Sequence, residues 1–215
     1  MTYDTYVFDL DGTLLDTLDD LTDAVNYALT LTGKKTRTKD EVRSFIGNGI
    51  AKLIERALGS KERDETFDVT FKAFKEFYNQ NSKNKTKPYD GIEELLERLN
   101  KAGKTCAIVS NKADGAVQIL HRHFFPKTIK IAVGENEEMG IKRKPCPDSL
   151  FAVIKRLNAD PKKTVYIGDS EVDIQTAKNA SLPCISVAWG FKSETFLREN
   201  GAEKIVTCPL EILDI

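Results

Sequence analysis

One short strand stands apart from every other strand in this chain. Thr5-Tyr6-Val7-Phe8-Asp9-Leu10 is β-branched, aromatic and apolar, and it stops at Asp11-Gly12, the pattern of a buried strand ending in a tight turn. From about residue 16 to about residue 82 the periodicity is helical. Leu18, Leu21, Val25, Ala28 and Leu29 recur at helical spacing up to Gly33. Thr38-Lys39-Asp40-Glu41 has the form of a capping box and opens a helix ending near Gly47. After Gly47-Asn48-Gly49 the pattern resumes with Ile50, Leu53, Ile54, Ala57 and Leu58, and Phe67, Phe71, Phe74 and Tyr78 form an aromatic stripe expected to be core. The polar run 79–87 reads as a linker, closed by Pro88-Tyr89-Asp90-Gly91.

Beyond that turn, helices and strands alternate. The patterns predict a helix over 91–102, strands at 105–109 and 129–133, a helix over 148–157, and strands at 164–167 and 184–187. Such alternation calls for a parallel sheet with helices on both faces. The expected architecture is an α/β fold: a Rossmann-like core of residues 1–15 and 83–215, interrupted by an inserted all-helical cap domain at 16–82.

Composition removes several function classes. The 215 residues carry 32 basic and 33 acidic side chains, and a net charge of −1 leaves no electrostatic footprint for nucleic acid. With 40% hydrophobic and 30% charged residues the chain suits neither a membrane nor a disordered class. No apolar run approaches the roughly 20 residues that span a bilayer. The opening residues lack the basic region of a signal peptide. Cys106, Cys146, Cys184 and Cys208 lie far apart and form no C-x-x-C pair, so a zinc site is not indicated. The expectation is a reduced, cytoplasmic protein, monomeric or homodimeric.

In open parallel sheets, ligands bind beyond the carboxyl ends of the strands. Four polar groups are predicted there: Asp9, Asp11 and Thr13 after the first strand; Ser110, Asn111 and Lys112 after the second; Lys144-Pro145 before the helix at 148; and Gly168-Asp169 with Asp173 four residues on. Each alone has a plainer reading, as a turn, a helix start or a solvated basic patch. Turn chemistry does not explain all four arriving in order at strand ends. Clustered carboxylates without histidine or thiol suit Mg²⁺, while a lysine and a hydroxyl suit phosphate oxygens. An aspartate against that metal can act as a nucleophile, and a second carboxylate two residues on can exchange a proton with the leaving group. The residues therefore read as a site for Mg²⁺-dependent phosphoryl transfer through an acyl-phosphate.

At these positions the chain resembles the haloacid dehalogenase superfamily over nearly its whole length. Asp9-Leu10-Asp11-Gly12-Thr13 is similar to its first motif, Ser110 to its second, Lys144 to its third, and Gly168-Asp169-Ser170-Glu171-Val172-Asp173 to its fourth. The resemblance implies Asp9 as nucleophile and Asp11 as general acid/base. It implies Mg²⁺ on the Asp9 carboxylate, the Asp11 backbone carbonyl and Asp169, with Asp173 orienting the metal's waters or Lys144. Ser110 and Lys144 would hold phosphoryl oxygens, Thr13 would brace the loop, and Gly12 and Asn111 would border the substrate. The helical insertion resembles the family's cap, which closes over the site and excludes water.

An acid/base at Asp11 separates phosphotransferases from the founding dehalogenases. Ile46-Gly47-Asn48-Gly49, Leu14-Leu15-Asp16-Thr17 and Trp189-Gly190-Phe191 resemble the phosphoglycolate phosphatase branch. Gly47, Asn48 and Gly49 would then let cap amides approach a small phosphorylated metabolite; the alternative is a helix-to-helix turn that needs glycine. The β-phosphoglucomutase branch typically has valine and histidine where Thr13 and Leu21 stand, which points to hydrolysis. A receiver-like phospho-acceptor module would carry its aspartate after the third strand and no helical insertion. Lys112 either adds charge to the phosphate pocket or forms a solvated end, and His121 and His123, two apart on a helix, do not form a metal pair.

Overall fold

The computed structural model describes residues 2–215. In chain order its strands and helices are β1 Thr5–Phe8, β2 Leu15–Asp16, α1 Leu18–Leu31, α2 Lys39–Phe45, α3 Gly49–Leu58, α4 Glu65–Asn81, β3 Lys87–Pro88, α5 Ile92–Lys101, β4 Thr105–Ala113, α6 Asp114–Phe124, β5 Ile131–Glu135, α7 Asp148–Leu157, β6 Thr164–Gly168, α8 Glu171–Asn179, β7 Cys184–Val187, α9 Glu194–Glu199 and β8 Lys204–Val206. The chain forms two compact units: one runs to Asp16 and resumes at Pro88, and the other is Thr17–Lys87.

The first unit is built on a six-stranded sheet of order β5-β4-β1-β6-β7-β8, parallel at every pairing. β1 lies inside it, with β4 on one side and β6 on the other. Its four residues are all buried, as a strand covered on both faces requires. Alternation sorts the side chains: Tyr6, Phe8, Ile108 and Ile167 join one core cluster, while Val7, Ala107, Val109 and Tyr166 join the other. Burying residues of this size contributes about 1.5–3 kcal/mol each. The winding reverses across β1, since the chain fills β4 and β5 on one side before returning to β6 on the other. That makes the carboxyl end of β1 the switch point where such sheets bind ligands.

β4 continues to Ala113, past the expected end at residue 109, and β5 is shifted two residues later than expected. β8, short and half-polar, adds a strand beyond those the sequence pattern predicts. Polar residues extend β4 because they lie at the sheet's carboxyl edge, where Asn111 bonds the Lys144 backbone rather than packing in the apolar core.

The second unit is helical. Leu18, Leu21, Ala24, Val25, Ala28 and Leu29 of α1 and Phe67, Ala73, Phe74 and Tyr78 of α4 are buried. The Thr38 hydroxyl accepts from Glu41 N at 3.2 Å and the Glu41 carboxylate accepts from Thr38 N at 2.7 Å, the reciprocal box that starts α2. Three residues of the expected linker remain helical, because α4 continues to Asn81, whose amide donates to the Phe77 carbonyl at 2.8 Å. The buried Asp20 then anchors the following segment, accepting from Lys85 N, Thr86 N and Thr86 Oγ1. Among the described residues no helix is long and apolar enough to cross a membrane.

Candidate active site

β1 ends by delivering Asp9, whose backbone N–H donates to Ile167 O of β6 at 2.8 Å, so the loop starts in register with the sheet. The chain then turns sharply. Gly12 has φ +88° and donates its N–H to Leu15 O at 2.9 Å. A Cβ at Gly12 would lie 2.4 Å from Asp169 Oδ2, so the loop packs directly on the β6 end.

The ligand oxygens of Asp9, Asp169 and Asp173, all buried, lie within 4.8 Å of one another. Lys144 Nζ, 4% exposed as a residue, donates to Asp9 Oδ1 and Asp173 Oδ1 at 2.7 Å each and to Tyr166 Oη at 3.0 Å. Tyr166 Oη donates in turn to Asp173 Oδ1 at 2.9 Å, and Ser170 N and Oγ both donate to Asp173 Oδ2. Asp173 thus stands as a fully bonded post for Lys144. Asp169 Oδ2 accepts from Phe191 N at 2.7 Å.

Electrostatics follow from this crowding. Burial pushes the Asp9 carboxyl up to about 7; the Lys144 ammonium opposes the rise, and Asp173 and Asp11 add to it. Burial, with Asp173 and Asp9, raises Asp169 well above the usual carboxylate range. Burial alone would lower the Lys144 ammonium, but Asp173 and Asp9 outweigh it and hold it above its ordinary value. Ionising all three buried carboxylates around one ammonium would leave negative charge uncompensated, so Asp9 and Asp169 hold protons more tightly, and further positive charge among them would favour their ionised forms.

The end of β4 supplies three consecutive buried side chains. Ser110 Oγ accepts from Lys112 N at 3.2 Å. Asn111, expected at the substrate, clamps the Lys144 backbone, accepting from its N–H at 2.6 Å and donating to its carbonyl at 3.1 Å. Lys112 is no solvated end: it is buried, with Nζ 3.0 Å from Asp11 Oδ1. Arg143 is likewise engaged, with Glu135 and Glu137 at 3.0 and 3.4 Å. Thr13 is fully buried; its carbonyl accepts from Trp189 Nε1 at 3.0 Å, while its Oγ1 has no hydrogen-bond partner. His121 bonds the Ile129 carbonyl and lies apart from this chemistry.

Within the helical unit, Gly47 and Gly49 adopt φ +116° and +80°, values that favour glycine. Asn48 Oδ1 accepts from Arg56 at 2.7 Å, and the same guanidinium donates to the Phe45 carbonyl at 2.6 Å, so Arg56 pins the loop. Sequence reasoning missed Arg56, Tyr166 and the Phe191 amide. Only the Trp189-Gly190-Phe191 resemblance hinted at the last.

A profile of haloacid dehalogenase-like hydrolases matches residues 6–187. The chain belongs to this family. Among relatives of these hydrolases, a phosphoglycolate phosphatase of Mesorhizobium japonicum is 34% identical over 210 residues, covering 94% of this chain and 89% of its own length. One of Psychrobacter arcticus is 34% identical over 200 residues, covering 90% and 86%. A crystal structure from Lactobacillus delbrueckii subsp. bulgaricus, of a candidate phosphoglycolate phosphatase, superposes with a TM-score of 0.92 at 38% identity, covering 99% of this chain and 97% of its own.

Proposed function

We propose that the chain hydrolyses a small phosphomonoester, 2-phosphoglycolate foremost, through an aspartyl-phosphate on Asp9. The buried grouping of Asp9, Asp169 and Asp173 around Lys144 carries this reading, because it joins a nucleophile, a cation site and a phosphate-binding ammonium at one switch point. The relatives' names support the substrate.

The donor set fits Mg²⁺: all oxygens, buried, and short of positive charge. Asp9, Asp169 and the Asp11 backbone carbonyl would hold it, while Asp173, already bonded to Lys144, Tyr166 and Ser170, would act through Lys144. When bound, the ion neutralises charge on the phosphoryl oxygens and keeps Asp9 ionised.

Asp9 attacks phosphorus as the ester P–O bond breaks, and Asp11 gives its proton to the departing alkoxide. Asp11 then takes a proton from the water that attacks phosphorus, the bond to Asp9 breaks, and inorganic phosphate leaves. Lys144 and Ser110 hold the phosphoryl oxygens through both steps. Gly12 and Thr13 fix the loop that carries the two aspartates, and Asn111 fixes Lys144. Four free cysteines suit a reducing, cytoplasmic setting.

A phosphate-release screen with Mg²⁺ over 2-phosphoglycolate, sugar phosphates, nucleotides and pyrophosphate tests the reading. The expected leader is 2-phosphoglycolate, with activity abolished by chelation. Conversion of glucose 1-phosphate to glucose 6-phosphate without phosphate release would replace hydrolysis with a mutase. Asp9→Asn should remove turnover while the protein stays folded by circular dichroism; residual turnover at wild-type level would refute Asp9 as nucleophile.

A further inference from the structure

Lys112 takes no part in the steps above, yet its side chain is only 5% exposed and its ammonium faces Asp11 Oδ1 at 3.0 Å, on a carboxylate itself 14% exposed. An ammonium is strongly disfavoured in a buried setting unless it is paired, so this contact is built rather than incidental. The strand is deformed to make it. Between the pairs Val109↔Val133 and Ala113↔Glu135, β4 advances four residues (109 to 113) while β5 advances two (133 to 135). Such a bulge breaks the in-out alternation and re-aims side chains. Ser110, Asn111 and Lys112 are consequently all buried and all bonded within the site. Gly134 permits the distortion: a Cβ there would lie 2.6 Å from Lys112 O and 2.5 Å from Asp114 Cα.

We propose that Lys112 is a positioning residue for Asp11, holding its carboxylate in the orientation that meets the leaving-group and water oxygens. This rests on the reading of Asp11 as acid/base. Asp11 precedes a glycine at positive φ on a tight turn, and its side chain has several staggered rotamers. A charge-assisted bond selects one of them. Proton transfer depends steeply on such placement.

The test separates the two chemical steps. With p-nitrophenyl phosphate the phenolate departs without a proton, so the burst of nitrophenolate reports attack by Asp9 alone. Hydrolysis of the aspartyl-phosphate still needs Asp11. Lys112→Met should keep the burst rate and kcat/KM for p-nitrophenyl phosphate within about 3-fold of wild type while its steady-state turnover slows by about 10- to 100-fold, so that its KM falls with kcat; for 2-phosphoglycolate, where both steps slow, turnover should fall by a similar factor with KM unchanged within about 2-fold. Lys112→Arg should restore most of the rate, and Asp11→Asn/Lys112→Met should be no slower than Asp11→Asn. Should the Met variant be insoluble, Lys112→Gln carries the same comparison. A burst slowed as much as turnover would make Lys112 a phosphate-binding cation instead. A KM rise confined to 2-phosphoglycolate would make it a contact for the substrate carboxylate. Wild-type rates, or losses additive with Asp11→Asn, would also overturn the proposal. Asp11→Asn at wild-type rate would instead remove the acid/base reading on which it rests.

Discussion

A Cβ on Gly190 would lie 2.3 Å from the Gly12 carbonyl oxygen and 2.4 Å from Asp169 Cβ. Neither neighbour is the free end of a flexible side chain, so Gly190→Ala must displace the turn after Asp11, the Asp169 carboxylate, or both. An overpacked site of this kind costs about 1–3 kcal/mol, and a displacement near 1 Å in catalytic groups costs about 100-fold in rate. Gly190→Ala should therefore lose at least 10-fold in kcat and melt lower. Gly115→Ala is the matched control: Gly115 is exposed at the start of α6 with nothing within 4 Å of a Cβ, so turnover should hold and stability should rise by up to about 1 kcal/mol. Equal turnover in the two variants would refute the packing argument. Such residues are hard to read from sequence. Asp9 and Asp169 stand out because each follows an apolar strand directly, a local signal. Gly190, Tyr166 and the Phe191 amide matter only through contacts made across the fold, as in the bond from Trp189 to Thr13, 176 residues away.

At the level of elements, local grammar was legible where hydrogen bonds are local and obscure where neighbouring strands decide. The Thr38 to Glu41 box is visible in four letters and forms as read. The β4 bulge leaves no such trace, because it depends on what β5 offers opposite it. α2 has seven residues, too few for a stable helix on intrinsic propensity, so its first turn depends on the box. Thr38→Ala should destabilise it by about 1 kcal/mol, and Thr38→Ser by much less. Hydrogen exchange followed by mass spectrometry is the direct measurement: protection should fall over α2 while α5 to α8 stay unchanged. A uniform loss over the whole chain would place the effect elsewhere.

Across the whole molecule, a net charge of −1 says nothing about where charge resides. The inserted helices and the return to a parallel sheet were legible because periodicities of 3.6 and 2 survive in single sequences. The strand order, which brings carboxylates from β1 and β6 together, follows from chain reversal rather than from any one segment. Burial has a further effect on the sheet as a whole. It pushes the Cys106 thiol up to about 12, and burial with Asp173 nearby does the same to Cys184. Both thiols start from an ordinary value of 9.0. A group whose pKa is raised on folding stabilises the fold below its unfolded value, and that contribution is lost as pH rises toward the folded one. The loss should run from about pH 9 to about pH 12, at up to about 1.4 kcal/mol per pH unit for each thiol. Urea unfolding followed by fluorescence of Trp189, the single tryptophan, should show stability flat near neutrality and falling from pH 9 upward. Cys106→Ala and Cys184→Ala will each lower stability at pH 8, yet each should flatten the alkaline slope, and the double variant more than either. An unchanged slope in the double variant would mean that the thiols do not limit alkaline stability, and would turn attention to the other groups that folding raises, among them the Tyr6 and Tyr166 hydroxyls and the Lys144 ammonium.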